Sequence, residues 1–231
     1  MTSRYLSNIE LYYSSNGINN NQLLIEGEDL NHIIKVMRHS VHDIIYITDG
    51  KGKIYESKIN HISKNSLSAK PLKSYQYENT KQNIYFCIPK LKNPDRFEFA
   101  LEKCVELGIT NYIIFESRRT VSRGDKLDRW NKILLSAMKQ SLRCFLPEIK
   151  IVNSMNEIFD FDGEKIGFEQ NSANMIDSLK IIPGVNYYLI FGPEGGLDKD
   201  ELELFNPENI YNLAENRLRT ETAIIKAASL L

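Results

Sequence analysis

The spacing of apolar residues changes character near position 80. Up to Leu72 they come in short runs, Leu23-Leu24-Ile25, Ile44-Ile45-Tyr46-Ile47, Ile54 to Ile59 and Ser66 to Ala69. Runs of this length bounded by polar residues predict strands, and Asp49-Gly50-Lys51-Gly52 between two of them predicts a hairpin turn. A single helix interrupts, with Leu30, Ile33, Ile34 and Met37 on its inner face. The polar stretch 74–82 reads as a linker. After it the rhythm alternates: strands are expected at 84–88, 112–115, 149–152, 165–168, 187–191 and 210–213, and helices at 94–107, 128–143, 174–180, 198–205 and 220–231. Such alternation predicts an α/β fold with a mainly parallel sheet covered on both faces. The chain is therefore expected to hold a small β-barrel-like module over residues 1–75 and an α/β domain over 76–231.

Composition narrows the class. No stretch of the chain approaches the length of a membrane-spanning apolar run, and its start lacks the pattern of a signal peptide, so a soluble cytoplasmic protein with no membrane partner is expected. The cysteines Cys87, Cys104 and Cys144 form no C-x-x-C pair, and His32, His39, His42 and His61 show no ligand spacing; no disulfide framework and no metal site are expected. The net charge of -1 conceals an uneven distribution. Residues 76–150 hold fourteen Lys and Arg against nine Asp and Glu, whereas residues 151–231 hold six against fourteen. That split suits a protein that offers one face to phosphates and another to a cationic small molecule, although solvated surface is an equal reading.

The buried run Tyr187-Tyr188-Leu189-Ile190-Phe191 ends at Gly192-Pro193-Glu194-Gly195-Gly196, and Asp198 with Glu201 then reads as a capping box. A strand, glycine loop and helix in a parallel sheet place the loop at the strand's carboxyl end, where such folds bind ligands. The loop matches neither phosphate-binding glycine pattern, nor does it carry a nucleophile-elbow serine. A tight turn needing positive φ at Gly195 or Gly196 explains it equally well. A second run, Leu218-Arg219-Thr220-Glu221-Thr222-Ala223, enters the last helix with Thr220 as the expected N-cap.

Taken together, Gly192 to Leu197 and Leu218 to Ala223 resemble the paired C-terminal motifs of the 16S ribosomal RNA uracil-N3 methyltransferase family, in the SPOUT class of trefoil-knotted methyltransferases. Supporting matches run along the chain: Arg4-Tyr5, His32 with Val36-Met37-Arg38, Lys103 with Glu106-Leu107-Gly108-Ile109, Arg118, Arg129-Trp130, Ala137 with Gln140 and Arg143, Pro147-Glu148-Ile149, and Glu169. Three positions depart from the family pattern. His42-Asp43 stands where a glycine is usual, Ala214 follows Leu213 in place of glycine, and Asn216 replaces an arginine.

The resemblance implies a PUA-like RNA-binding barrel, a knotted domain that binds S-adenosyl-L-methionine and releases S-adenosyl-L-homocysteine, no metal, a homodimer, and 16S ribosomal RNA of the small subunit as partner. The cofactor would be held by Glu169, Leu189, Phe191, Gly192, Pro193, Glu194, Gly195, Gly196, Leu213, Leu218, Thr220, Thr222 and Ala223. Arg219 would stabilise charge on the uracil oxygens, and Glu221 would orient the base or take its N3 proton. RNA contacts are expected from Arg118, Arg119 and Arg123, continuing through Lys126, Arg129 and Lys132 to Arg143, with Arg4 and Arg38 in the barrel. Two other readings stay open: a knotted methyltransferase acting on a ribose 2'-hydroxyl or a transfer RNA base, and a non-catalytic RNA-binding assembly factor of the same fold.

Overall fold

The computed structural model of the chain describes residues 6–120 and 124–231. They form two compact units. One takes in the chain up to Thr80 and the later segment Met138–Leu146; the other is Lys81–Ala137 with Pro147–Leu231.

The first unit contains β1 (Leu11–Tyr13), β2 (Ile18–Asn19), β3 (Gln22–Glu26), the short helix α1 (Gly27–Asn31), β4 (Ile44–Thr48), β5 (Lys53–Ile62) and β6 (Ser66–Gln76). Their order across the sheet is β1-β4-β5-β6-β3-β2, with β1 parallel to β4 and the other pairs antiparallel. Alternate residues point inward, so Leu23, Ile25, Ile45, Ile47, Ile59 and Leu67 close one core against Leu30 and Ile33. Two register shifts in β5, at Glu56/Ser57 and Ile59/His61, mark bulges of the kind that bend a long strand. β1 and β2, too short to show periodicity, were not expected. β6 also runs into the stretch expected to be linker, because Tyr75 and Gln76 pair with Ile54 and Lys53 although this half of the strand is mostly exposed. Met37, expected on the inner face, is 40% exposed. The reason is a π-helical turn over His32–Val36, which widens the helix after α1 and shifts the phase of every later residue.

The second unit continues with β7 (Ile84–Pro89), α2 (Pro94–Glu106), β8 (Asn111–Phe115), α3 (Leu127–Gln140), β9 (Glu148–Ile151), α4 (Asn156–Phe159), β10 (Glu164–Phe168), β11 (Tyr187–Ile190), α5 (Lys199–Leu202), β12 (Ile210–Tyr211) and α6 (Thr220–Leu230), the end of α3 belonging to the first unit. All six strands are parallel, in the order β12-β10-β11-β7-β8-β9. Cys87, Ile113, Tyr188 and Ile190 pack against Ile158, Leu197 and Phe205 on one face, and the alternate residues Phe86, Ile88, Ile114 and Leu189 are fully buried. The expected helix at 174–180 is a single 3-10 turn, Ile176–Ser178, and α5 is shorter than its pattern. α3 stops at Gln140, and Leu142, two residues on, takes a left-handed φ of 56° that a helix cannot hold. The three cysteines are free and buried, and burial raises their thiol pKa values, Cys144 to about 12.

Candidate functional site

Three strand ends and a helix start surround one cavity of about 660 Å³. Its wall is built from Phe168 to Gln170 after β10, Phe191 to Leu197 after β11, Asn212 to Ala214 after β12, and Asn216 to Glu221 leading into α6. This is the carboxyl edge of a parallel sheet, where strand ends leave backbone groups unpaired by the ladder.

The glycine loop has reasons for its composition. A Cβ on Gly192 would stand 2.9 Å from the Leu197 nitrogen, so the loop folds back on its own backbone there. Gly196 takes φ +71° and donates its N–H to the Pro193 carbonyl at 2.8 Å, closing a tight turn. A Cβ on Gly196 would meet nothing within 4 Å, leaving that face open. The turn and ligand readings of the loop are therefore compatible. Behind it, Phe191 stacks on Phe168 with centroids 4.8 Å apart. Ahead of it, the Asp198 side chain accepts the Glu201 N–H at 2.8 Å and Glu201 accepts the Asp198 N–H at 2.9 Å, completing the capping box. Glu194 accepts the Lys92 backbone N–H at 2.9 Å, which ties the loop to the segment leading into α2.

Opposite, Asn212 fixes the end of β12. Its side chain donates to the Gln170 carbonyl at 2.8 Å and accepts the Ala214 N–H at 3.0 Å. Arg219, with extended backbone, occupies the cap position of α6 and makes no side-chain cap. Thr220, the expected N-cap, is the first helical residue instead. Glu221 follows in the first turn, where the helix dipole favours a carboxylate. It is buried to 9% exposure and pairs with Nε of Arg96 at 3.5 Å.

Of the residues singled out for the cofactor, Glu169, Phe191, Gly192 to Gly196, Leu213, Leu218, Thr220 and Ala223 line the cavity, as do Arg219 and Glu221. Leu189 and Thr222 do not: Leu189 is fully buried in β11 and Thr222 is exposed on α6. Arg96, Phe168, Gln170, Asn212 and Arg217 also line it and carried no signal in the sequence, because each reaches the site from an element whose place is set by sheet order. The acidic excess of the last third does not produce an acidic cavity. Glu169, Glu194 and Glu221 face Arg96, Arg119, Arg217 and Arg219.

The basic run lies on this same unit and is held by acids. Arg118 pairs with Asp200 and with Asp198 at 3.4 Å, contacts that raise its pKa, and its backbone N–H donates to Glu201 at 2.9 Å. Ser117 donates to the other Glu201 oxygen at 3.3 Å, so one buried glutamate caps α5 and anchors the loop after β8. Arg119 crosses the glycine loop and donates to the Gly195 carbonyl at 2.6 Å. Lys90, buried at the end of β7, pairs with Glu116 at 2.8 Å and Asp125 at 2.7 Å. Arg129 pairs with Glu98 at 2.6 Å. Arg38, exposed with φ 57°, and Arg143 belong to the first unit. Arg4 and Arg123 lie outside the described residues. Among the described residues no cluster of His, Cys, Asp and Glu could hold a metal ion, and no helix is long and apolar enough to cross a membrane.

Comparison with known proteins adds to this geometry. Residues 78–231 match the family model for the RNA methyltransferase domain, and residues 25–72 that for the RNA methyltransferase PUA domain. The chain is 30% identical to ribosomal RNA small subunit methyltransferase E of Bacillus subtilis over 89% of its own length and 87% of that protein. Among solved structures it resembles a probable rRNA methyltransferase from Porphyromonas gingivalis, with 25% identity, a TM-score of 0.83 and 95% of each chain covered. It also resembles the Neisseria gonorrhoeae ribosomal RNA small subunit methyltransferase E bound to S-adenosyl methionine, with 26% identity, a TM-score of 0.82, and 96% and 95% of the two chains covered.

Proposed function

Because the chain belongs to the RNA methyltransferase family, we propose that it transfers a methyl group from S-adenosyl-L-methionine to N3 of a uridine in 16S ribosomal RNA, leaving S-adenosyl-L-homocysteine. The observation that carries this reading is the meeting of the glycine loop and the Leu218 to Ala223 run in one cavity. The cavity suits a cofactor of this size: it is concave, it has aromatic backing at Phe168 and Phe191, and the open Gly196 brings loop backbone to its surface. Glu169, Leu213, Leu218, Thr220 and Ala223 would hold the cofactor with the loop. Bound there, the cofactor supplies an electrophilic methyl group for in-line displacement.

Glu221 takes the N3 proton or orients the base, and Arg219 stabilises the charge that develops on the uracil oxygens. The target uridine leaves its stack to reach the cavity. Arg118, Arg119 and Arg129 contact RNA from the methyltransferase unit and Arg38 and Arg143 from the PUA-like unit, with Arg4 and Arg123 completing the set. The same reading includes the trefoil knot, a homodimer, a cytoplasmic location and a substrate within the small ribosomal subunit.

Nucleoside mass spectrometry of ribosomal RNA from a deletion strain tests it. The expected result is loss of N3-methyluridine from 16S ribosomal RNA, restored by the wild-type chain. Loss of a different methylated nucleoside would overturn the assigned target. No change in any nucleoside, together with no cofactor binding by calorimetry, would make the chain a non-catalytic RNA-binding protein.

A further inference from the structure

Arg96 is the third residue of α2, where the helix dipole disfavours a cation. Its backbone is set firmly: Asn93 caps the helix by accepting the N–H groups of Asp95 at 2.9 Å and Arg96 at 3.3 Å, and Pro94 follows it. Nothing local calls for an arginine there. Its partner comes from another helix, Glu221 of α6, and both side chains line the cavity. The contact is an ion pair without a directed hydrogen bond, so the guanidinium N–H donors of Arg96 have no hydrogen-bond acceptor among the described residues. The Arg96 side chain is 39% exposed and that of Glu221 12%.

A donor beside an acceptor is complementary to one edge of a pyrimidine. Uracil presents a carbonyl oxygen next to the N3–H group, an acceptor beside a donor. Cytosine N3 carries no proton to give up, and a ribose hydroxyl has no carbonyl beside it. We propose that Arg96 is a catalytic residue that binds the uracil carbonyl flanking N3 and thereby selects uracil. Glu221 takes the N3 proton, and the ring charge released spreads onto the oxygen held by Arg96. The N3–carbon bond forms as the sulfur–carbon bond breaks, with the bonding pair remaining on sulfur. Arg219 serves the same developing charge from the loop before α6. The proposal rests on the uracil-N3 reading above and adds to it the residue that reads the base.

The test uses the full chain and small ribosomal subunits purified from the deletion strain. Arg96→Ala is expected to lower kcat about a hundredfold, the usual effect of removing one preorganised donor. Cofactor affinity by calorimetry and the circular dichroism spectrum should be unchanged. Guanidinium ion at millimolar concentration should restore much of the lost rate to Arg96→Ala and none to the wild type. Arg96→Lys, which retains a charged donor, should fall between them and also covers the case in which the alanine variant does not fold. A wild-type rate in Arg96→Ala, a loss that guanidinium does not rescue, or a matching loss of cofactor affinity would each overturn the proposal. If the wild-type chain itself leaves the subunit's uridine unmethylated, it is the underlying reading that fails.

Discussion

Two glycine-bearing turns in this chain follow buried strands, and they were put to opposite uses. The hairpin turn Asp49 to Gly52 is filled by the protein itself. A Cβ on Gly52 would stand 2.6 Å from the Phe145 ring, and one on Gly50 3.0 Å from Tyr13 and 3.1 Å from Leu146. The returning segment locks the turn further, with Gly52 donating to the Cys144 carbonyl and Leu146 to the Gly50 carbonyl, each at 2.8 Å. The glycine loop instead closes on its own backbone at Gly192 and stays open at Gly196. Glycine signals a close approach or a left-handed backbone in both. What approaches is a side chain in the first and, on the reading above, a ligand in the second.

Substitutions at these glycines should separate the two uses. The largest effect is expected from Gly192→Ala, where the methyl group meets backbone that cannot swing aside. Cofactor affinity by calorimetry should fall about a hundredfold, equivalent to about 3 kcal/mol; affinity within a factor of about three of the wild type would show that the loop tolerates the shift. Gly52→Ala should cost about 2 kcal/mol of stability through its φ of +100° and the Phe145 ring. Urea denaturation would register that loss, cofactor affinity should not change, and the cost should shrink in a Phe145→Ala background. Gly196→Ala should cost only about 1 kcal/mol of backbone strain. Its methyl group lies on the open side, so cofactor affinity should drop about tenfold, while stability falls by no more than that strain.

The smallest effect concerns the helix start beyond the glycine loop. The Asp198 carboxyl is held below its ordinary value of 3.8, first by the Glu201 N–H it accepts; burial opposes this, and the neighbouring Arg118 adds to the lowering. A depressed carboxyl contributes stability above the unfolded value that is lost as pH falls through the folded one. Asp198→Asn should therefore lower the melting temperature slightly at neutral pH, and the difference should begin to close near pH 3.8 and vanish only below the depressed folded-state value. A gap that persists in acid would mean that the side-chain geometry matters and its charge does not.

Much of this architecture could be read from local pattern. The change from short alternating runs to strand–helix alternation predicted the antiparallel and parallel sheets, because side-chain period is fixed by backbone geometry. The Asp198–Glu201 capping box could be read as well, since both partners lie within one helical turn. Where pattern failed, a non-local contact had taken over. β6 extends through polar Tyr75 and Gln76 because β5 supplies their ladder partners. Met37 left the core once the π-helical turn altered the helical phase. Arg119, within the basic run, also reaches across the glycine loop to the Gly195 carbonyl, a contact that no local pattern marks.

The sequence by itself determined the strands other than β1 and β2, the glycine loop, the helix start that follows it and the family likeness of the two C-terminal motifs, all of which are written in residues near in the chain. Only the tertiary structure decided that Arg96 meets Glu221, that Glu201 anchors the loop after β8, and that Phe145 fills the hairpin turn. Those pairings join residues far apart in the chain. Strand order and the return of Met138–Leu146 to the first unit set them, and neither leaves a periodic trace in the residues concerned.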